Sequence, residues 1–324
     1  MHPYGPARAL PQHVVPRVVF VLGKGGVGRS TVAAALGAGL AATGKRVIVA
    51  QWAVVDAISP WFGRARAGYA PADLAPGLAT MNYSSEAALE QYFVTHLGMR
   101  ALFHAVIANR HVRAATRAAP GLEELVFLGM VFWLVTLAAR DTGRCFDHAI
   151  VDAPAMGHGA SLLGVPSLTR TLGLGGLLAG ECERVASMLA DPTCAGAVVV
   201  TTPDELALDE TREFWPRIER ELGRPPLAAI VNRSARALGE LPPDPGACAW
   251  FEELAASDDD DARAGLDRVY AHLARRIARE RAFTSDAPLG TLAIDDALLV
   301  ADEVSPRGVV ALAQTALVPL WSPR

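Results

Sequence analysis

The sequence predicts an α/β protein: a doubly wound, mostly parallel sheet with an inserted helical subdomain. Three observations predict it. Short apolar, β-branched runs alternate with helical stretches along much of the chain. The first run ends in a glycine-rich loop that opens a helix, and a second strand-like run follows that helix. A long stretch, about residues 86–140, carries no strand signal and interrupts the alternation.

The elements follow in order. Residues 1–16 are rich in proline and histidine, have no apolar run of the signal-peptide kind, and read as a flexible tail. Residues 17–324 read as one domain. Arg17–Leu22 (RVVFVL) has the continuous apolar character of a buried parallel strand. Ser30–Thr43 reads as a helix, with Ala34, Leu36, Gly37 and Leu40 on a small-residue face and Gly44 as a C-cap. Arg46–Ala50 is the next strand. Ala149–Val151, which ends at Asp152, Ala197–Thr201 and Leu227–Val231 are the others. Within 86–140 the helices are rich in alanine and leucine and break at Pro120-Gly121. Leu122–Ala139 is apolar almost all round, so its helix is either buried or covers a partner; core burial is the simpler reading. Ser257–Asp261 (SDDDD) reads as a solvated loop or a helix start.

Composition narrows the function classes. A chain of 324 residues with 51% hydrophobic content can bury a large core. The net charge is −4 and no basic stripe stands out, so nucleic acid is not an expected partner. Cys145, Cys182, Cys194 and Cys248 form no C-x-x-C pair, which argues against a zinc site and a disulfide framework and for a reducing, cytoplasmic setting. The longest uncharged apolar run, Leu125–Ala139, spans roughly 15 residues against the ~20 a membrane helix needs. Val309–Arg324 lacks the cationic face of a membrane-binding amphipathic helix.

Chemistry concentrates in GKGGVGRST, Gly23–Thr31. It fits the phosphate-loop pattern G-x-x-x-x-G-K-[ST], except that Arg29 stands where lysine is expected. Gly23, Gly25, Gly26 and Gly28 let the backbone around Val27 turn tightly and aim N–H groups at phosphate oxygens. The following helix adds its positive N-terminus. The hydroxyl of Ser30 suits Mg²⁺, and Thr31 completes the motif. Arg29 keeps the charge, but its planar fork is bulkier than an ammonium and points differently. A glycine turn without a ligand is the alternative; the flanking strand and helix favour a nucleotide. Asp152 ends the strand in FDHAIVDAPAMGHG. Alone it reads as a strand-end turn residue; beside a phosphate loop it can reach the Mg²⁺ shell.

These motifs carry a family resemblance over nearly the whole chain after the tail. With its extra Lys24, GKGGVGRST resembles the deviant Walker A motif of the MinD/ParA/ArsA superclass of P-loop NTPases. DAPAMGHGASLL (Asp152–Leu163) is similar to the switch II segment of the ArsA arsenical-pump ATPases and of the ATPases that target tail-anchored membrane proteins. The match continues through Ala119–Leu125, Val200–Thr211 and Ile230–Arg233. The resemblance implies a P-loop NTPase fold, ATP and Mg²⁺ as cofactors, and a dimer, either of two copies or with an ArsA-like paralogue. It implies that Lys24 acts across that dimer on the partner's nucleotide and that Asn232 reads adenine. A buried amide suits adenine's edge, and a strand-end turn role for Asn232 remains the alternative. His158 matches a switch II position, with a structural hydrogen-bonding role equally open. Residues 86–140 correspond to the region that forms an apolar groove for membrane-protein clients. The relatives' clustered metalloid-binding cysteines and zinc-binding C-x-x-C are missing, so metalloid transport is disfavoured.

A second departure joins Arg29. The family carries S-T-D-P-A after the second strand, with an aspartate that positions the attacking water. In Val47–Gly63 an ungapped alignment puts Gln51 and Trp52 at the serine and threonine and Ala53 at the aspartate. Asp56, three residues on, could substitute only along a different loop path. Loss of a positioned base costs roughly 10²–10⁴ in rate. The expectation is a nucleotide switch with weakened or absent hydrolysis. The alternative is a non-catalytic subunit paired with an active paralogue. An active ATPase acting on membrane-protein clients or anions comes third.

Overall fold

The computed structural model describes residues 15–88, 121–136, 145–154, 162–164, 177–234, 260–286 and 291–295. Expectations for residues 1–14, most of 86–140, residues 155–161 with His158, Cys248 and the stretch 309–324 lie outside these residues.

The strands are β1 (Val18–Gly23), β2 (Val47–Gln51), β3 (Ala72–Ala75), β4 (Leu78–Asn82), β5 (His148–Asp152), β6 (Ala195–Thr201), β7 (Ala228–Ser234) and β8 (Thr291–Asp295). They form one eight-stranded sheet in the order β3-β4-β2-β5-β1-β6-β7-β8. Every neighbouring pair is parallel except β3 with β4 at the edge. The helices among the described residues are α1 (Arg29–Ala42), α2 (Leu122–Thr136), α3 (Leu177–Ala190), α4 (Glu205–Leu222) and α5 (Asp260–Asp286). This is the mostly parallel α/β sheet that the sequence predicts.

Why these residues form this sheet is visible in their alternation. Successive strand residues point to opposite faces. Val19, Val21, Val47 and Val49 pack with Val32, Leu36 and Leu40 of α1. Phe20, Leu22, Ile48 and Ala50 pack on the other face, with Phe127, Leu128 and Val131 of α2 and Val185 and Leu189 of α3. Both faces are therefore covered, which is why the strands read as unbroken apolar runs. Each large side chain fully buried this way is worth about 1.5–3 kcal/mol. A Cβ at Gly37 would lie 2.8 Å from Val49 Cγ2 and 3.1 Å from Leu78 Cδ1, so glycine lets α1 sit close on the sheet.

Several expectations shift by one to three residues. β1 runs on to Gly23, β2 to Gln51 and β7 to Ser234. α1 starts at Arg29 and is capped by Thr43, with Gly44 following at φ 84°. Of the acidic run, Asp260 and Asp261 occupy the first turn of α5, the helix-start alternative. The α2 residues Leu125, Phe127, Leu128, Met130, Val131 and Phe132 are buried within the chain, as core burial required. β3, β4 and β8 were not expected. ADLA, LATMN and TLAID are short and carry Asp, Thr or Asn, so no apolar run marks them. β4 owes its place to pairing with β2 from Val47↔Leu78 to Gln51↔Asn82.

The topology places the site. From central β1 the chain moves to β2 on one side, and from β5 it crosses β1 to reach β6 on the other. Such a reversal opens a crevice at the carboxyl ends of the strands, where ligands bind in this fold class. Gly23, Gln51, Asp152, Thr201 and Asn232 all lie at or near those ends. No helix among the described residues is long and apolar enough to cross a membrane.

Candidate phosphate-binding site

Gly23 closes β1 and α1 begins at Arg29, so Lys24–Gly28 form the connecting loop. Gly25 and Gly26 are exposed, and a Cβ on either would meet nothing within 4 Å. Val27 is buried and anchors the loop in the core beneath α1. Gly28 is the N-cap at φ 91°, a left-handed conformation that glycine adopts without strain. α1 has no side-chain cap and no acidic residue in its first turn. Its first amides are therefore left for an external anion, with the helix dipole in favour.

Ser30 stands at the head of α1, and its Oγ donates to Asp152 Oδ2 at 2.6 Å. Asp152 ends β5 and sits in register with Val21 of β1 and Gln51 of β2. Burial pushes its carboxyl above the usual range, opposed by the Ser30 hydrogen bond and the Arg29 charge. A hydroxyl and a carboxylate oxygen side by side below an anion-binding loop are the oxygen donors that Mg²⁺ selects. The residues present thus fit the ion. Thr31 follows, half-buried.

The two cations of the loop point away from a simple cradle. Arg29 Nη1 donates to the Gly23 carbonyl at 2.9 Å, so the guanidinium folds back on the base of its own loop. Burial lowers its pKa, against the raising effect of Asp152. Lys24 Nζ lies 3.1 Å from Glu210 Oε1 of α4, and both side chains are partly exposed. Glu210 falls within Val200–Thr211 but was not singled out in sequence; only the fold brings α4 beside the loop.

Asn232 is drawn to the loop itself. Its Nδ2 donates to the Val27 carbonyl at 2.8 Å, while its Oδ1 is buried without a hydrogen-bond partner among the described residues. A Cβ at position 28 would lie 2.2 Å from that Nδ2.

The loop after β2 is built differently. Asp56 is buried at 2% exposure. Its Oδ1 accepts from Gln51 Nε2 at 2.7 Å, from the Ile58 amide at 2.8 Å and from the Ser59 amide at 3.1 Å. Its Oδ2 accepts from the Ala67 amide at 2.7 Å. A carboxylate offers about four lone-pair positions; three donors converge on Oδ1 and one reaches Oδ2. Burial raises the pKa of Asp56, but the hydrogen bonds from Gln51, Ala67 and Ser59 outweigh it and hold the carboxyl below its ordinary value. Asp56 is a brace for the loop, held by four hydrogen bonds. Ala53, whose methyl offers no base, donates its amide to Asn82 Oδ1 at 3.2 Å. Trp52 packs edge-on against Tyr83 and at a tilt against Phe127, each at a centroid distance of 5.0 Å. Gln51 as the partner of Asp56 was missed in sequence, where it stood only as a replaced serine.

A central strand feeding a glycine loop and an uncapped helix, with a Ser–Asp pair at its foot, is the arrangement of the P-loop NTPase fold of the α/β class. Residues 16–173 match the family model described as anion-transporting ATPase. The chain is 30% identical over 257 residues to the ATPase BagA of Mycobacterium tuberculosis, covering 77% of this chain and 73% of that protein. It is 24% identical over 209 residues to the "Putative arsenical pump-driving ATPase 1" of Aquifex aeolicus, covering 63% of this chain and 50% of that protein. The chain belongs to the ArsA family of ATPases.

Proposed function

We propose that this chain is a Mg-ATP-dependent switch that works as a dimer and hydrolyses ATP slowly or not at all. One contrast carries the reading. Ser30 Oγ and Asp152 Oδ2 stand 2.6 Å apart below an open loop, while the carboxylate nearest in sequence to the lost aspartate, Asp56, is tied down by four hydrogen bonds.

In this reading the amides of Gly25–Gly28 and the head of α1 orient the phosphates. Ser30 and Asp152 hold Mg²⁺, which when bound offsets phosphate charge. The unpartnered Oδ1 of Asn232 accepts from the exocyclic amine of adenine. Lys24 leaves Glu210 and reaches the nucleotide of a second chain. Position 53 supplies no group to orient water, which accounts for a loss of roughly 10²–10⁴ in rate. The test is Mg²⁺-dependent ATP turnover by the purified chain. A rate of about 1 s⁻¹ or more would overturn the slow-switch reading.

A second reading, a non-catalytic subunit paired with an ArsA-like paralogue, is favoured by Lys24. It is kept, partly exposed and held by a partly exposed carboxylate, so it remains available to another chain's site. Replacing it by alanine should then lower the paralogue's activity, and an unchanged rate would count against the pairing. A hydrophobic client, if one is bound, meets residues other than the buried ones of α2. Arsenical cargo, named for the Aquifex relative, finds no cysteine cluster in this sequence. A cytoplasmic setting goes with these readings.

A further inference from the structure

The geometry points to Asn232 as a positioning residue that holds the phosphate loop in shape through one hydrogen bond from β7. The inference rests on the nucleotide reading above and adds a role at its phosphate end. Asn232 is 2% exposed, and its strand is separated from β1 by β6. Its Nδ2 donates to the Val27 carbonyl at 2.8 Å. Chemistry fixes which end of the amide faces the loop, because a backbone carbonyl only accepts. The Val27 side chain is packed in the core, so the loop is pinned there by its side chain and by its carbonyl at once.

The next residue makes the arrangement specific. Gly28 turns into α1 at φ 91°, and a Cβ there would overlap Asn232 Nδ2 at 2.2 Å. The glycine thus leaves room for the amide as well as permitting the turn. Because the peptide is planar and trans, a Val27 carbonyl aimed at Asn232 aims the Gly28 N–H the opposite way. Holding one oxygen therefore sets the direction of an amide donor in the loop. The Asn232 Oδ1, buried and unpartnered among the described residues, plays no part in this bond and stays open to a ligand donor. The two ends of one side chain divide the work: nitrogen for the loop, oxygen for the ligand.

The consequence is a loss that does not depend on the base. Asn232→Leu keeps approximate shape and neutrality and removes the donor; Asn232→Ser is a smaller second variant should the first fail to fold. Thermal unfolding checks that each variant is folded. Hydrogen exchange of the loop amides 24–28 is measured on the full chain without ligand, and binding of Mg²⁺ with ATP or with inorganic tripolyphosphate by calorimetry. We expect loop exchange to quicken by roughly three- to tenfold. Affinity for tripolyphosphate should fall by a similar factor, and affinity for ATP by more, because the variants also remove the Oδ1 that would meet adenine. Unchanged loop exchange would overturn the inference, as would a loss confined to ATP, since that is the mark of a base reader alone. If the wild-type chain binds neither ligand, the nucleotide reading falls, while the exchange result still decides whether Asn232 holds the loop.

Discussion

Two loops leave the same edge of the sheet and could hardly differ more in how their polar groups are treated. The loop after β2 is tied to one carboxylate: Asp56 takes donors from Gln51, Ile58, Ser59 and Ala67 and is buried, though the Ser59 Oγ beside it has no hydrogen-bond partner among the described residues. The loop after β1 leaves α1 uncapped and Gly25 and Gly26 exposed, with the buried Asn232 Oδ1 beside it facing no donor among the described residues. Buried polar groups are normally paired. Four donors gathered on one buried carboxylate mark a scaffold, whereas an uncapped helix beside exposed glycines suits a ligand. A carboxylate near a site is not chemistry until its lone pairs are counted.

The largest effect should come from giving the second loop the chemistry it lacks. Arg29→Lys with Ala53→Asp should raise ATP turnover by roughly 10²–10⁴, read by phosphate release; no gain would break the comparison at its functional end. Next is the brace. Asp56→Ala leaves several buried donors unpaired and should destabilise the chain by about 2–4 kcal/mol in urea unfolding. The sign of its pH dependence follows from the lowered folded pKa. Its contribution is fully present above the ordinary carboxylate value near ~4 and fades as pH falls through the lower folded value. Asp56→Asn should lose that acid-side slope; an unchanged slope would mean Asp56 is not the brace described.

Smaller effects sharpen the other loop. Ser30→Ala should reduce the Mg²⁺-dependent part of ATP affinity by roughly ten- to a hundredfold, seen as calorimetric titrations that no longer respond to Mg²⁺. The smallest concerns Lys24. A partly exposed ion pair is worth about 0.2–1 kcal/mol, so Glu210→Gln should barely alter stability. If the pair restrains Lys24 within one chain, the change should strengthen nucleotide-dependent dimerisation by no more than about fivefold, measured by sedimentation. Weaker dimerisation would show that the pair is no restraint.

Legibility in the sequence followed distance along the chain. The phosphate loop was readable because its parts are consecutive and its flanking strand and helix lie next to it. The buried strands were readable because both faces are covered, which leaves unbroken apolar runs such as Val18–Leu22. β3, β4 and β8 were not, since their place depends on pairing and their side chains announce little. That position 53 is an alanine is plain in the sequence, but how Asp56 is held depends on where the Ala67 amide comes to rest.

By itself, then, the sequence determined the α/β class, the glycine loop with Ser30 and Asp152, and the substitutions at 29 and 53. Their physical basis is local: periodic burial and residues a few positions apart. Only the tertiary structure decided that Arg29 turns back to Gly23, that Lys24 meets Glu210, that Asp56 is tied down by four hydrogen bonds, and that Asn232 holds the Val27 carbonyl from 205 positions away. Those outcomes rest on which strand ends and helices meet at one edge of the sheet. A hydrogen bond is set by that meeting in space, and no spacing along the chain encodes it.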